Sequence, residues 1–309
     1  MKIFESLEEI KDMEKTVVAM GNFDGVHKGH QELIMRMVKT AEAAGISSAV
    51  FTFSTHPRNI TGNGPKVRNI LYNEEKAEII AGLGVDIMFN IPFNARIEHM
   101  SPVDFVDRLL IQKFHMQEAY CGFNYRFGYK AQGDAETLMH EGMKKGFGIH
   151  VLEPYEIDGH LVSSSFIRKL IEEGAVDQCM KYLGRYYSIG GEVVVGNKFG
   201  KKLGFPTSNL LIDESMVTPP NGVYITCCWY DGRRYPSVTN VGRKPTVGDY
   251  DKNVETHIFN FDRELYGKKI KVEFLKRMRP EKKFDSVEGL SKQITEDCIR
   301  AKAFHNSRR

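Results

Sequence analysis

The sequence predicts an α/β protein in two parts. Residues 1–185 read as a parallel sheet with helices on both faces, and residues 186–309 as a small antiparallel β-barrel with a terminal helix. Short apolar runs alternate with helical patterns as far as residue 154, which is the signature of a parallel sheet. Past residue 187, strand-like segments follow one another without long helices between them. A chain of 309 residues is long enough to build a core in each part.

Bulk properties exclude several classes. The chain is 41% hydrophobic and 27% charged, with a formal charge of +3 and a pI near 8.4, so no dedicated nucleic-acid binder is expected. Five cysteines, at positions 121, 179, 227, 228 and 298, form no CxxC pair and point to neither a disulfide framework nor zinc. The N-terminal MKIFESLEEIKDMEK lacks the apolar core of a secretory signal, and no apolar run approaches a membrane span. A reducing cytosol is the simplest home.

Val17 to Met20 reads as a buried strand, broken into a loop by Gly21, Gly25 and Gly29 before a helical pattern from about His30 to Ala44, with Gly45 as the stop. At Gly29 the missing Cβ lets an anion approach the backbone, and the free amides of the following helix point toward it. His27 and His30, in the pattern HxGH, add two imidazoles. Phosphoryl and nucleotidyl transfer need donors held where charge develops, and two positioned histidines meet that need. Surface histidines, or half of a metal site, are the competing reading of so short a motif.

Further strands are expected at residues 47–53, 85–91, 118–124 and 149–154, with helices at 73–82 and 134–145. Residues 55–59, THPRN, leave the second strand either as a loop reaching a nucleotide with His56 and Arg58 or as a solvated turn. Ser101 reads as an N-cap and Pro102 as the first residue of its helix. The strand at 118–124 runs into a glycine-bearing loop that carries Asn124, Arg126 and Asp134 to a strand's carboxyl end. Ser163, Ser164 and Ser165 open a later helix carrying Arg168, which is either an anion cradle or ordinary serine capping beside an exposed arginine.

In the second part, Asp231-Gly232 is a two-residue hairpin signal, and a turn at Tyr266-Gly267 separates two later strands. A terminal helix is expected from about Asp285, with Val287, Leu290, Ile294, Cys298 and Ala301 on one stripe. GNKFGKKLGFPTSN, residues 196–209, is one residue short of a Walker A loop, has no Ser or Thr after the lysine, and holds Pro206 where a helix would have to begin. It reads instead as a basic flap, with backbone and Lys201 or Lys202 near phosphates, and with Thr207 and Asn209 either offering oxygens to Mg²⁺ or, as such residues beside a proline more often do, forming a turn. In VETHIFNF, alternation puts Glu255, His257, Phe259 and Phe261 on one face, and Glu255 is either a proton acceptor at a barrel mouth or a plain surface carboxylate.

GNFDGVHKGHQ closely resembles the first motif of the bacterial bifunctional riboflavin kinase/FAD synthetase family, within the HxGH nucleotidyltransferases. The resemblance extends over nearly the whole chain: SSSFIR matches the family's SSTxIR with one methyl lost, GFNYRFG matches its flavin-side segment, and GFPTSN, NVGRKPT and VETHIFNF occur in the order found in riboflavin kinases. FSTHPR lacks the first proline of the family's Phe-x-Pro-His-Pro, and Ser208 stands where PTAN has alanine.

The resemblance implies a Rossmann-like FMN adenylyltransferase over residues 1–185 and a riboflavin kinase barrel over 186–309, with Mg²⁺ accompanying ATP and with riboflavin and FMN as substrates and FAD as product. It implies His27, His30, Arg168 and Glu255 as catalytic residues, and Gly21, Phe23, Asp24, Gly29, Ser163, Ser164, Ser165, Gly200, Lys201 and Lys202 as contacts of ATP. Asn124, Arg126 and Phe127 face the flavin on this reading, and Thr207 and Asn209 hold the metal. A flavin-binding regulator that has lost catalysis is the alternative from another class.

Overall fold

The computed structural model describes residues 1–308 apart from 63, 197–199, 201–202 and 243–251, with the backbone alone at Lys252. The described residues form two compact units, Met1–Ser164 and Ser165–Arg309.

In the first unit β1 (Lys2–Phe4), β2 (Thr16–Met20), β3 (Ser47–Phe53), β4 (Ile87–Ile91), β5 (Met116–Gly122) and β6 (Gly148–Leu152) make one sheet in the order β1-β4-β3-β2-β5-β6. Every neighbouring pair is parallel, as the alternation of strand and helix predicts. β2 is central and buried at all five residues, which is why it reads as an unbroken apolar run. The edge strand β1 escapes sequence reading because three residues are too few to show a period. From β2 the chain moves outward through β3 to β4, then returns to the opposite side of β2 for β5. The order therefore reverses between β2 and β5, and the loops leaving these two strands open at that reversal, where such sheets bind ligands. Beneath them, Phe51, Phe89, Phe105 and Phe114 pack ring to ring.

Helix α1 (Lys28–Ala44) follows β2 and ends at Gly45, whose φ of 64° only glycine adopts freely. It is followed by α2 (Pro57–Thr61), α3 (Asn73–Gly82) and α4 (Ala95–Glu98). Ser101 caps α5 (Pro102–Asp104) through its hydroxyl, as its sequence predicts. This helix continues as a π-helix over Phe105–Ile111, in which the amides of Gln112 and Phe114 reach the carbonyls of Asp107 and Leu109, five residues back. Asp134 caps α6 (Ala135–Lys145), and a small hairpin, β7 (Glu156–Ile157) with β8 (His160–Leu161), precedes α7 (Ser164–Glu173).

In the second unit α8 (Val176–Leu183) packs against β9 (Tyr187–Val194) and β14 (Lys269–Pro280). With β10 (Ser208–Ile212), β11 (Gly222–Tyr230), β12 (Arg233–Gly242) and β13 (Lys252–Ile258) they close an antiparallel barrel in the order β10-β13-β12-β11-β14-β9. Asp231 and Gly232 both adopt positive φ, 51° and 69°, as a two-residue hairpin requires. Inside, the hydroxyls of Thr226, Ser237, Thr239 and Thr256 are linked at 2.7–2.9 Å, so their burial leaves none unpaired.

Helix α9 (Val287–Asn306) is capped by Ser286 and begins two residues after the expected Asp285, and Val287 of the expected stripe is 48% exposed. The Asp297 carboxylate on α9 accepts from Arg279 Nε and Nη2 and from Gln293 Nε2, which ties the helix to β14. Phe261 departs from the face shared by Glu255, His257 and Phe259. Asn260 turns the chain at φ 54°, and Phe261 packs instead on Tyr230 and Tyr235.

Candidate active sites

The loop after β2 is held in an uncommon shape. Phe23, Gly25 and Val26 have φ of 47°, 78° and 35°, and a β-branched valine there is a strained residue retained by its surroundings. Val26 is fully buried, its amide bonds the Phe23 carbonyl, and its own carbonyl accepts from Gln31 Nε2 at 2.8 Å. Asp24, also buried, directs its carboxylate to the backbone amides of Ile70 and Leu71.

His27 is the N-cap of α1: its Nδ1 accepts from the His30 amide at 3.2 Å, so α1 begins two residues before its apolar periodicity does. With Nδ1 accepting, the proton of neutral His27 is on Nε2. The two imidazoles stack at 3.5 Å and 18°, and Phe23 meets the edge of His30. Burial, then the nearness of His27, then that of Lys76, holds the His30 pKa well below 6.5, so this ring is neutral at pH 7. His30 Nδ1 is buried without a hydrogen-bond partner among the described residues. Lys76 on α3, which its sequence did not single out, is also buried; its ammonium bonds the Phe53 carbonyl, and desolvation lowers its pKa to about 8 against the pull of Asp24.

Gly29 differs from its sequence reading. A Cβ there would meet Tyr155 Cβ at 3.1 Å and His27 Nδ1 at 3.3 Å, so the space belongs to the protein's own side chains rather than to an approaching anion. Gly21 likewise faces the Phe23 ring. Ser164 donates to the Asp24 carbonyl at 2.8 Å, which brings the serine run to the histidine loop; Ser163 precedes it, half-buried. Ser165, exposed, and Arg168, half-buried, lie on α7 within the second unit.

His56 caps α2 with Nδ1 accepting from the Arg58 amide, so its proton is on Nε2, 3.5 Å from the Asn22 side-chain amide. That contact needs the Asn22 oxygen turned toward the ring. On the other side of the reversal, Asn124 and Arg126 are exposed, and Arg126 pairs with Asp134 at 2.9 Å. Phe127 is 5% exposed, packs on Phe105 and Tyr125, and fills the position a Cβ at Gly133 would take.

In the barrel unit a cleft of about 720 Å³ lies between the outer face of the strands and α9. Gly200, Thr207, Asn209, Asn240, Glu255 and His257 line it on the barrel side. Register explains why they meet: Asn209 on β10 faces Glu255 on β13, which faces Asn240 on β12, so three polar side chains lie in one cross-strand row. His257 Nδ1 bonds the Pro206 carbonyl at 2.8 Å, and Asn253 Nδ2 bonds both Asn209 Oδ1 and Glu255 Oε1. Lys201 and Lys202 lie outside the described residues, as does most of NVGRKPT.

Two oxygen donors of the kind a divalent cation takes stand on this wall. The hydroxyl of Thr207 and the amide of Asn209 are hard donors, and a Cβ at Gly196 would overlap the Asn209 amide at 2.5–2.7 Å, so glycine there leaves that amide room. No cluster of three His, Cys, Asp or Glu that could hold a metal occurs among the described residues.

Two family models match the chain, one described as FAD synthetase over residues 9–166 and one as riboflavin kinase over residues 183–305. The bifunctional riboflavin kinase/FMN adenylyltransferase of Bacillus subtilis is 34% identical over 93% of this chain and 92% of its own length. That of Pseudomonas fluorescens is 34% identical over 98% and 97%. The chain belongs to the bifunctional riboflavin kinase/FMN adenylyltransferase family.

Its FAD synthetase segment contains the histidine loop and its riboflavin kinase segment the cleft. A solved structure described as the macrolide-efflux protein of Streptococcus pneumoniae has the same fold, with TM-score 0.86 and 28% identity over 97% of this chain and 98% of that one. No helix among the described residues of this family member is long and apolar enough to cross a membrane.

Proposed function

We propose that this chain makes FAD from riboflavin in two ATP-dependent steps, with one phosphate-handling site in each module, residues 1–185 and 186–309. The observation that carries this reading is the cross-strand row Asn209–Glu255–Asn240 in the barrel cleft, joined in the same chain to a strained HxGH loop at the reversal of a parallel sheet.

In the second module Glu255 accepts the proton of the 5′-hydroxyl of riboflavin as that oxygen bonds the γ-phosphorus of ATP. The bond from the γ-phosphorus to its bridging oxygen breaks, giving FMN and ADP. Thr207 and Asn209 hold Mg²⁺, which when bound neutralises charge on the phosphate oxygens. Gly200 lies along the phosphates.

In the first module a phosphate oxygen of FMN attacks the α-phosphorus of a second ATP, and pyrophosphate leaves. His27 donates from Nε2, and His30 acts as a neutral imidazole, which stabilises developing charge by a hydrogen bond rather than as a cation. Ser163, Ser164, Ser165 and Arg168 are the second half of this phosphate site. Asp24 and Phe23 act through the loop they shape, and Phe127 holds the loop from which Asn124 and Arg126 reach the flavin. All five cysteines are free and buried, which accords with a cytoplasmic location.

Purified protein is incubated with riboflavin and Mg-ATP and the flavins separated over time. FMN appearing first, then FAD with pyrophosphate, is the expected course. Bound flavin without conversion would instead favour a regulator.

A further inference from the structure

Asn253 lies behind the cleft, bonded to two of its lining residues, Asn209 and Glu255, in a place that neither the motifs nor the family match assigns. It is 2% exposed on β13, two residues before Glu255 and on the same side of the strand. Its Nδ2 donates to Glu255 Oε1 at 2.8 Å and to Asn209 Oδ1 at 3.1 Å, and Asn209 Nδ2 in turn donates to the Thr207 carbonyl at 3.4 Å. An amide nitrogen has two hydrogens, and both are used here. The carboxylate can only accept, so the Asn253 amide cannot be turned the other way round. Its Oδ1 is buried without a hydrogen-bond partner among the described residues, an arrangement that costs stability.

We propose that Asn253 is a positioning residue for riboflavin phosphorylation, its one amide nitrogen holding the proton-accepting carboxylate of Glu255 and the metal-facing amide of Asn209 in a fixed mutual arrangement. The inference rests on the roles given above to Glu255 and Asn209. A carboxylate on a strand face has rotamers that turn it out into the cleft, and a hydrogen bond to each of two neighbours selects one rotamer of each. Effects of this kind act on the transition state more than on ground-state binding, because reacting atoms must be placed to within a few tenths of an ångström.

The test uses the full-length protein with Asn253→Leu, which keeps the volume and removes both donors, and Asn253→Asp, which keeps the shape and sets acceptor oxygens against two acceptors. Both should lower kcat for FMN formation by about tenfold or more while riboflavin KM stays within about twofold. In the Leu variant, calorimetry should show a smaller gain in ADP affinity on adding Mg²⁺ than in the parent, a readout independent of turnover. Riboflavin fluorescence quenching at parental affinity shows that the barrel remains folded.

Parental kcat in both variants, or a loss of kcat matched by loss of riboflavin binding, overturns the positioning role. A Glu255→Gln enzyme at full rate overturns the assignment of the base and the positioning role with it. An inactive Glu255→Gln enzyme beside fully active Asn253 variants sinks the positioning role alone.

Discussion

The hydroxyl of Ser164 donates to the carbonyl oxygen of Asp24 at 2.8 Å, across 140 residues of sequence. This bond joins the start of α7 to the loop that carries His27 and His30. Its removal in Ser164→Ala leaves a half-buried carbonyl short of a partner, at a cost of about 1 kcal/mol. FMN adenylation should fall roughly fivefold, with riboflavin phosphorylation by the same preparation unchanged. Separate rate measurements with FMN and with riboflavin as the starting flavin check this.

His30 gives the first unit a pH dependence of definite sign. Its folded pKa lies well below 6.5, chiefly through burial, so in the window beneath 6.5 the unfolded chain binds a proton that the folded one does not. Stability is therefore full above that value and falls as the pH drops below it. Thermal unfolding followed between pH 8 and 5.5 should show a smaller loss for His30→Gln than for the parent, and an equal loss would contradict the assignment.

At Gly29 a methyl group would come within 3.1 Å of Tyr155 and 3.3 Å of His27 Nδ1. Gly29→Ala should displace the His27 ring from its capping position and reduce FAD formation from FMN by about tenfold, with riboflavin phosphorylation unaffected. A variant with parental FAD synthesis would show that the cap is not needed.

Asp297 and Arg279 form a buried ion pair, with side chains 4% and 19% exposed. Asp297→Ala leaves the guanidinium without its carboxylate and should destabilise the barrel unit by about 3 kcal/mol. Trp229 on β11 is the sole tryptophan, so its fluorescence during urea unfolding reports on this unit directly.

Much of the local structure was legible. Asp231-Gly232 forms its turn because two consecutive positive φ angles admit few other pairs, and Ser101 caps its helix with the short side-chain oxygen expected of it. Misreadings arose where a residue's environment comes from elsewhere. Gly29 gives its space to Tyr155, which no local pattern reveals, and Phe261 leaves its face because Asn260 takes a left-handed turn with no glycine to announce it. A histidine in place of Ser or Asp hid the cap of α1, and Lys76 in a helix reads as surface charge until α3 packs it beside the loop.

By itself the sequence determined a parallel sheet followed by an antiparallel barrel, most of their strands, the Ser101 cap and the Asp231-Gly232 turn, and the segments that carry His27, His30, Thr207, Asn209 and Glu255. These depend on side-chain period, glycine positions and capping oxygens within a few residues of each other. Tertiary structure alone decided that β5 lies beside β2, that Ser164 reaches Asp24, and that Asn209, Glu255 and Asn240 share one row with Asn253 bridging two of them. Sheet order and register are chosen by burying apolar faces contributed from distant parts of the chain, and a shift of one residue would turn every one of those polar side chains to the opposite face.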